Sequence, residues 1–145
     1  MKVSKNYPQQ RFAFLLRNEP SMGMLKELEQ AIDLIANRRT WLIHPPKYVE
    51  MDVPGSSPET ALHGGVFSVY SAMPPWGDLL PKEVDRTNYE EVYEIVTELC
   101  RLSGTTDMTF QLELDGTVVG SIKGGIADKL LTQGLLEPWR IAVGK

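Results

Sequence analysis

Among the side chains that can move protons or attack carbon, this sequence of 145 residues offers two histidines, His44 and His63, and a single cysteine, Cys100. Glu50 and Asp52 lie close to the histidines in the chain, so His44 or His63 with a nearby carboxylate would make an acid/base pair for an enzyme. Nothing in the spacing fixes that geometry. His44 ends an apolar run before Pro45 and Pro46, and His63 falls in a loop, where a hydrogen-bonded structural histidine is the ordinary occupant. Cys100 would need a base and an electropositive setting to become a thiolate. Its helical neighbours are Val96 and Glu98, which fits a small core residue better. One cysteine excludes every paired-thiolate motif, and the histidines lack the i, i+4 spacing of a helical zinc pair, so no metal is expected.

The stretch "FQLELDGTVVGSIKGGIADKLL", Phe110 to Leu131, places glycines between a strand and a helix, as a phosphate cradle would. It carries neither the dinucleotide G-x-G-x-x-G pattern nor the P-loop G-x-x-x-x-G-K-[ST] pattern, and no cofactor is expected. Asp115-Gly116 between two alternating runs predicts a type I′ hairpin, with Gly116 at positive φ. Gly124-Gly125 then ends the second strand before the next helix.

The constellation with most to offer is acidic. Glu90, Glu94 and Glu98 recur at i, i+4, i+8 and so form one line of like charge on a helix, with Glu91 beside it. Such pairs cost a few tenths of a kcal/mol each, which a well-packed helix carries easily, so a plain solvated face is one explanation. The other is a surface that waits for a basic partner. Asp78, Glu83 and Asp85 in the preceding segment extend the field, and Trp76 there would serve as an aromatic anchor, or would only plug the end of the sheet with Leu79 and Leu80.

These residues must be held by recognisable elements. "RFAFLLR", Arg11 to Arg17, reads as a strand buried on both faces. From Ser21, Leu25, Leu28, Ile32 and Ile35 recur at helical spacing, widened by Met24 and Ala31, and predict a helix ending near Arg38. "TWLIH" and "KYVEMDV" are two further strands, parted by Pro45 and Pro46, and "GVFSVYSAM" from Gly65 is another. "PPWGDLLPKEVDR" reads as a long loop. In "TNYEEVYEIVTELCRLSG" a capping box of Thr87 with Glu90, or of Asn88 with Glu91, opens a helix whose buried stripe is Val92, Ile95, Val96, Leu99 and Leu102, with Gly104 as its left-handed C′ residue. A short helix from Ile126 to about Gln133 follows the hairpin, limited by Gly134 and Pro138. The fold class is therefore α+β: a mostly antiparallel sheet of about six strands with two main helices on one face, and a possible duplicated βαββ unit plus the short C-terminal helix.

Length and composition bound the rest. The chain fits one domain with a real core, since 42% hydrophobic and 23% charged residues is ordinary globular composition. No secretion signal is visible in the first twenty residues. The longest uncharged stretch, Thr60 to Gly77, carries His63, glycines and prolines that suit no membrane helix, so a cytoplasmic protein is expected. A net charge of −4 argues against a general affinity for nucleic acid. Its distribution is uneven: residues 41 to 100 hold three Lys/Arg against ten Asp/Glu, which favours partners of positive charge.

"LDGTVVGSIKGGIADKLLTQGLLEPW", Leu114 to Trp139, resembles the endings of small immunity proteins of bacterial polymorphic toxin systems, in which an Asp-Gly hairpin is followed by a short helix and a tryptophan. The resemblance covers only that stretch, points to no single family and carries over no inhibitory residue. It implies a protein that binds and neutralises a cognate, nuclease-type toxin. Two other classes stay open: a small-molecule module whose cleft Trp41, Tyr48, Tyr70 and Trp76 would line, and the histidine enzyme above.

Overall fold

A computed structural model describes residues 7–19, 21–51, 62–71 and 80–144. Its described strands form one six-stranded antiparallel sheet in the order β2-β3-β1-β4-β5-β6, which bears out the α+β class. The strands are β1 (Gln9–Leu16), β2 (Lys47–Met51), β3 (Leu62–Tyr70), β4 (Phe110–Leu114), β5 (Thr117–Lys123) and β6 (Ile126–Ala127). Phe12 to Leu16 are all buried because β1 lies mid-sheet, between β3 and β4. Helices α1 (Met22–Ala36) and α2 (Lys82–Thr105) close the core on the face that carries Phe12, Phe14, Phe67, Phe110 and Leu112.

Helix α1 begins where expected. The Ser21 hydroxyl accepts the Met24 N–H at 3.2 Å, satisfying one of the donors a helix start leaves open. Leu28, Ile32 and Ile35 are buried, and Met24, Leu25 and Ala31 pack beside them. Thr40 to His44, expected as a strand, is irregular. A backbone donor that a ladder would use is diverted, the Leu42 N–H going to the Glu91 carboxylate at 2.7 Å, and the Trp41 indole N–H ties the segment back to the Ala36 carbonyl at 2.9 Å. The first half of the chain therefore has one described strand, β2, between α1 and β3, where a βαββ unit needs two before the next unit opens on β3.

Helix α2 starts earlier than its sequence suggests. The Pro81 carbonyl accepts from Val84 and Asp85, so the expected loop to Arg86 contributes the first turn and no capping box forms at Thr87 or Asn88. Thr87 instead donates to the Glu83 carbonyl one turn back. Asn88, fully buried, donates to the Tyr70 carbonyl at 3.2 Å and so ties α2 to the end of β3. The helix also runs past Gly104, which keeps a negative φ. It packs against Gly125, and the closer fit is on that side of the contact, where a Cβ on Gly125 would meet Gly104 Cα at 3.1 Å.

Asp115 (φ 50°) and Gly116 (φ 83°) form the expected type I′ turn between β4 and β5. Gly124 (φ 59°) and Gly125 (φ 82°) form a second such turn, leading into the short strand β6 rather than directly into a helix. The C-terminal helical run starts at α3 (Lys129–Leu131), where Asp128 caps the Leu131 N–H at 3.0 Å. Gly134 and Pro138 do not stop it. A π turn over Thr132–Leu136, closed by Glu137 N–H to the Thr132 carbonyl, leads into α4 (Glu137–Ala142), and Pro138 sits in the first turn of that helix, where its missing N–H costs little.

On β3, Gly64 and Gly65 face Leu15 and Phe14 of β1 across the ladder. A Cβ on Gly65 would lie 2.2 Å from Phe14 Cζ, and one on Gly64 would lie 2.0 Å from the Phe14 carbonyl oxygen. This closeness seats the Phe14 ring at the centre of the core. No described helix is long and apolar enough to cross a membrane.

Candidate functional site

Helix periodicity puts Glu90, Glu94 and Glu98 in one line on α2, as expected, but the line is not bare. The segment after α1 brings two arginines against it. Arg38 Nη1 lies 2.5 Å from Glu98 Oε1, Arg101 Nε lies 3.0 Å from Glu98 Oε2, and Arg39 Nη1 lies 3.2 Å from Glu94 Oε2. The Arg38 hydrogen bond holds the Glu98 carboxyl below its ordinary pKa, with Arg101 adding to it. Arg39 also sits over the Trp41 ring at 5.7 Å. The lower half of the acidic line is thus an ionic seam between α2 and the α1–β2 connection.

Glu91 points the other way. It is fully buried; Oε2 accepts the Leu42 N–H, and Oε1 has no hydrogen-bond partner among the described residues. Burial pushes its pKa up to about 7, against the opposing pull of the Leu42 N–H and the Arg39 charge. The residue joins the two elements by one charge-sensitive hydrogen bond.

At the other end of α2, Glu83 is exposed and Glu90 half-buried. Asp85 accepts the Trp139 indole N–H at 2.7 Å, so it anchors the C-terminal helices. Trp76 and Asp78 lie outside the described residues. Sequence reasoning passed over Tyr93, which is 52% exposed. Its ring stacks on buried Tyr89 at 5.8 Å, and Tyr89 in turn meets the edge of Trp139 at 5.8 Å. The signal was present as an aromatic pair at i, i+4.

The histidines are both engaged. His63 lies on β3 rather than in a loop, and its Nδ1 is 2.9 Å from the Tyr48 hydroxyl, not bonded to Glu50. His44 Nδ1 is 2.8 Å from the Pro45 carbonyl, and Nε2 is 2.9 Å from Ser68 Oγ. Burial pushes the Cys100 thiol up in pKa, consistent with an inert core residue. No three His, Cys, Asp or Glu side chains among the described residues gather as a metal site would require. Of the described aromatics of the expected cleft, Trp41 and Tyr48 both pack on the helix-side core, whereas Tyr70 alternates to the opposite face.

No family model matches this chain, and no curated protein or solved structure matches it at a significant level.

Proposed function

We propose that the protein binds a basic protein partner through the outer face of α2, in the manner of an immunity protein that blocks a nuclease-type toxin. The observation that carries this reading is Tyr93, a half-exposed aromatic held by its stack on Tyr89, with Glu90 one turn before it and Glu94 next to it. An aromatic ring already fixed in place loses little entropy on binding and is a frequent hot spot, while acidic neighbours speed encounter with a basic surface. Because Glu94 and Glu98 are paired with arginines and Glu90 is half-buried, the contact surface narrows to Glu83 and Tyr93, with Trp76 and Asp78 kept as sequence-based members. A catalytic site in the inhibitor is not required.

A pull-down from the native cells, eluted with rising salt, should release a stoichiometric basic protein identifiable by mass spectrometry. With that partner purified, Tyr93→Ala should weaken binding at least tenfold, corresponding to about 1.4 kcal/mol or more. Glu83→Lys should slow association at low salt. Neither change should lower the melting temperature by more than a few degrees, since neither side chain belongs to the core. Equal affinity for wild type and Tyr93→Ala would remove this face from consideration.

A further inference from the structure

We propose that Ser68 and His44 form a hydrolytic pair for negatively charged carboxylic esters, on the sheet face opposite the helices. The Pro45 carbonyl can only accept, so at 2.8 Å it places the proton on His44 Nδ1. In the neutral ring, Nε2 is then the acceptor, and at 2.9 Å the hydroxyl of Ser68 must be the donor. A nucleophile bonded to a base whose tautomer is fixed by a third group is the arrangement by which enzymes activate serine. Strand alternation supplies the setting. Phe67 and Val69 face the core, so Ser68 projects from the other side, where both it and His44 are partly open to solvent.

A cation shares that face. Lys47 of β2 is the cross-strand partner of Val66, the preceding residue on the same side as Ser68, whereas Arg11, the cross-strand partner of Ser68 itself, is already engaged and gives its backbone N–H to Asp115. An exposed lysine one strand away, on the side of the hydroxyl, suits an acyl group bearing a carboxylate. Ser68 Oγ bonds to the ester carbonyl carbon as its proton passes to His44 Nε2. The tetrahedral adduct collapses, the carbon–oxygen bond to the leaving alcohol breaks, and His44 returns the proton to that oxygen. Water repeats the sequence on the acyl-serine, releasing the acid and restoring the hydroxyl. Ester and water are the only reactants. The pair is independent of the α2 face proposed for partner binding.

The test uses the full-length wild-type protein with diisopropyl fluorophosphate, and 4-nitrophenyl hemisuccinate beside neutral 4-nitrophenyl acetate. Peptide mass spectrometry should find the phosphoryl adduct on Ser68 in the folded protein and not after unfolding in urea. Hydrolysis of the hemisuccinate should fall about 100-fold or more in Ser68→Ala and in His44→Gln, the range a general base supplies. Lys47→Gln should lower kcat/KM more for the hemisuccinate than for the acetate. An unlabelled Ser68 in the folded wild type overturns the proposal without any variant having to fold, and labelling that persists unchanged in His44→Gln overturns it as well.

Discussion

Between pH 5 and pH 8 the protein will lose on the order of 2 to 3 kcal/mol of stability, and Glu91→Gln will remove most of that loss. The sign follows from burial. In the fold the Glu91 carboxyl titrates at about 7, against an ordinary 4.5. Between those values the folded state holds a proton that the unfolded chain has released, so stability falls as pH rises through the window. Above it, an ionised carboxylate is buried with one N–H and one unsatisfied oxygen, and the fold bears that cost in full. Glutamine cannot ionise. It can keep the Leu42 hydrogen bond, so the variant should match or fall slightly below wild type at pH 5 and exceed it at pH 8. Glu98 and Asp128, whose pKa values are lowered in the fold, act in the opposite direction and at lower pH, where their protonation on acidification costs stability. Urea melts of both proteins at the two pH values are sufficient, and an undiminished slope in Glu91→Gln would place the titrating group elsewhere.

Gly64→Ala will be far more damaging, costing upwards of about 4 kcal/mol and a large part of the 5 to 15 kcal/mol that keeps a domain folded. The added methyl would sit 2.0 Å from the Phe14 carbonyl oxygen and 2.9 Å from Leu15 Cα. Both are backbone atoms of β1, so no rotamer change relieves the overlap. The two strands must separate at mid-sheet, giving up ladder hydrogen bonds and the packing of Phe14 together. The same chemical change at Gly23 in α1, where a Cβ would meet nothing within 4 Å, should stabilise the protein by up to about 1 kcal/mol through helix propensity. Denaturant midpoints for the pair should therefore move in opposite directions. A folded Gly64→Ala with wild-type stability would show that β1 and β3 are not so tightly apposed.

What the sequence disclosed was what neighbouring residues decide among themselves. Ser21 ahead of an apolar stripe, the stripe of α2 from Val92 to Leu102, and Asp115-Gly116 between alternating runs all read correctly because each signal spans a few residues. The misreadings share a different cause. Arg38 and Arg39 meet their glutamates across 60 and 55 residues of chain, so no local pattern revealed that the acidic line would be partly neutralised. Thr40 to His44 has the composition of a strand, yet its Leu42 N–H is taken by Glu91 and its Trp41 side chain is tied to the end of α1. Glu91 itself was legible in part. It falls four residues before Ile95 and three after Asn88, on the buried side, and only the habit of grouping glutamates placed it with the exposed ones. Of the candidate site, spacing disclosed which charges lie in line but not which are already paired.

The strand order carries a consequence for how the chain acquires its fold. β1 precedes every other described strand in the chain and belongs in the middle, with β3 on one side and β4 on the other. Its hydrogen bond from Arg11 to Asp115 joins residues 104 apart in sequence. On the ribosome, a strand whose last five residues are all apolar must therefore remain without its second neighbour until the β4–β5 hairpin has emerged. High contact order of this kind places folding towards the slow end for small domains, on the order of milliseconds to seconds. During that interval the segment from Phe12 to Leu16 is the part of the nascent chain with most reason to be held by a chaperone.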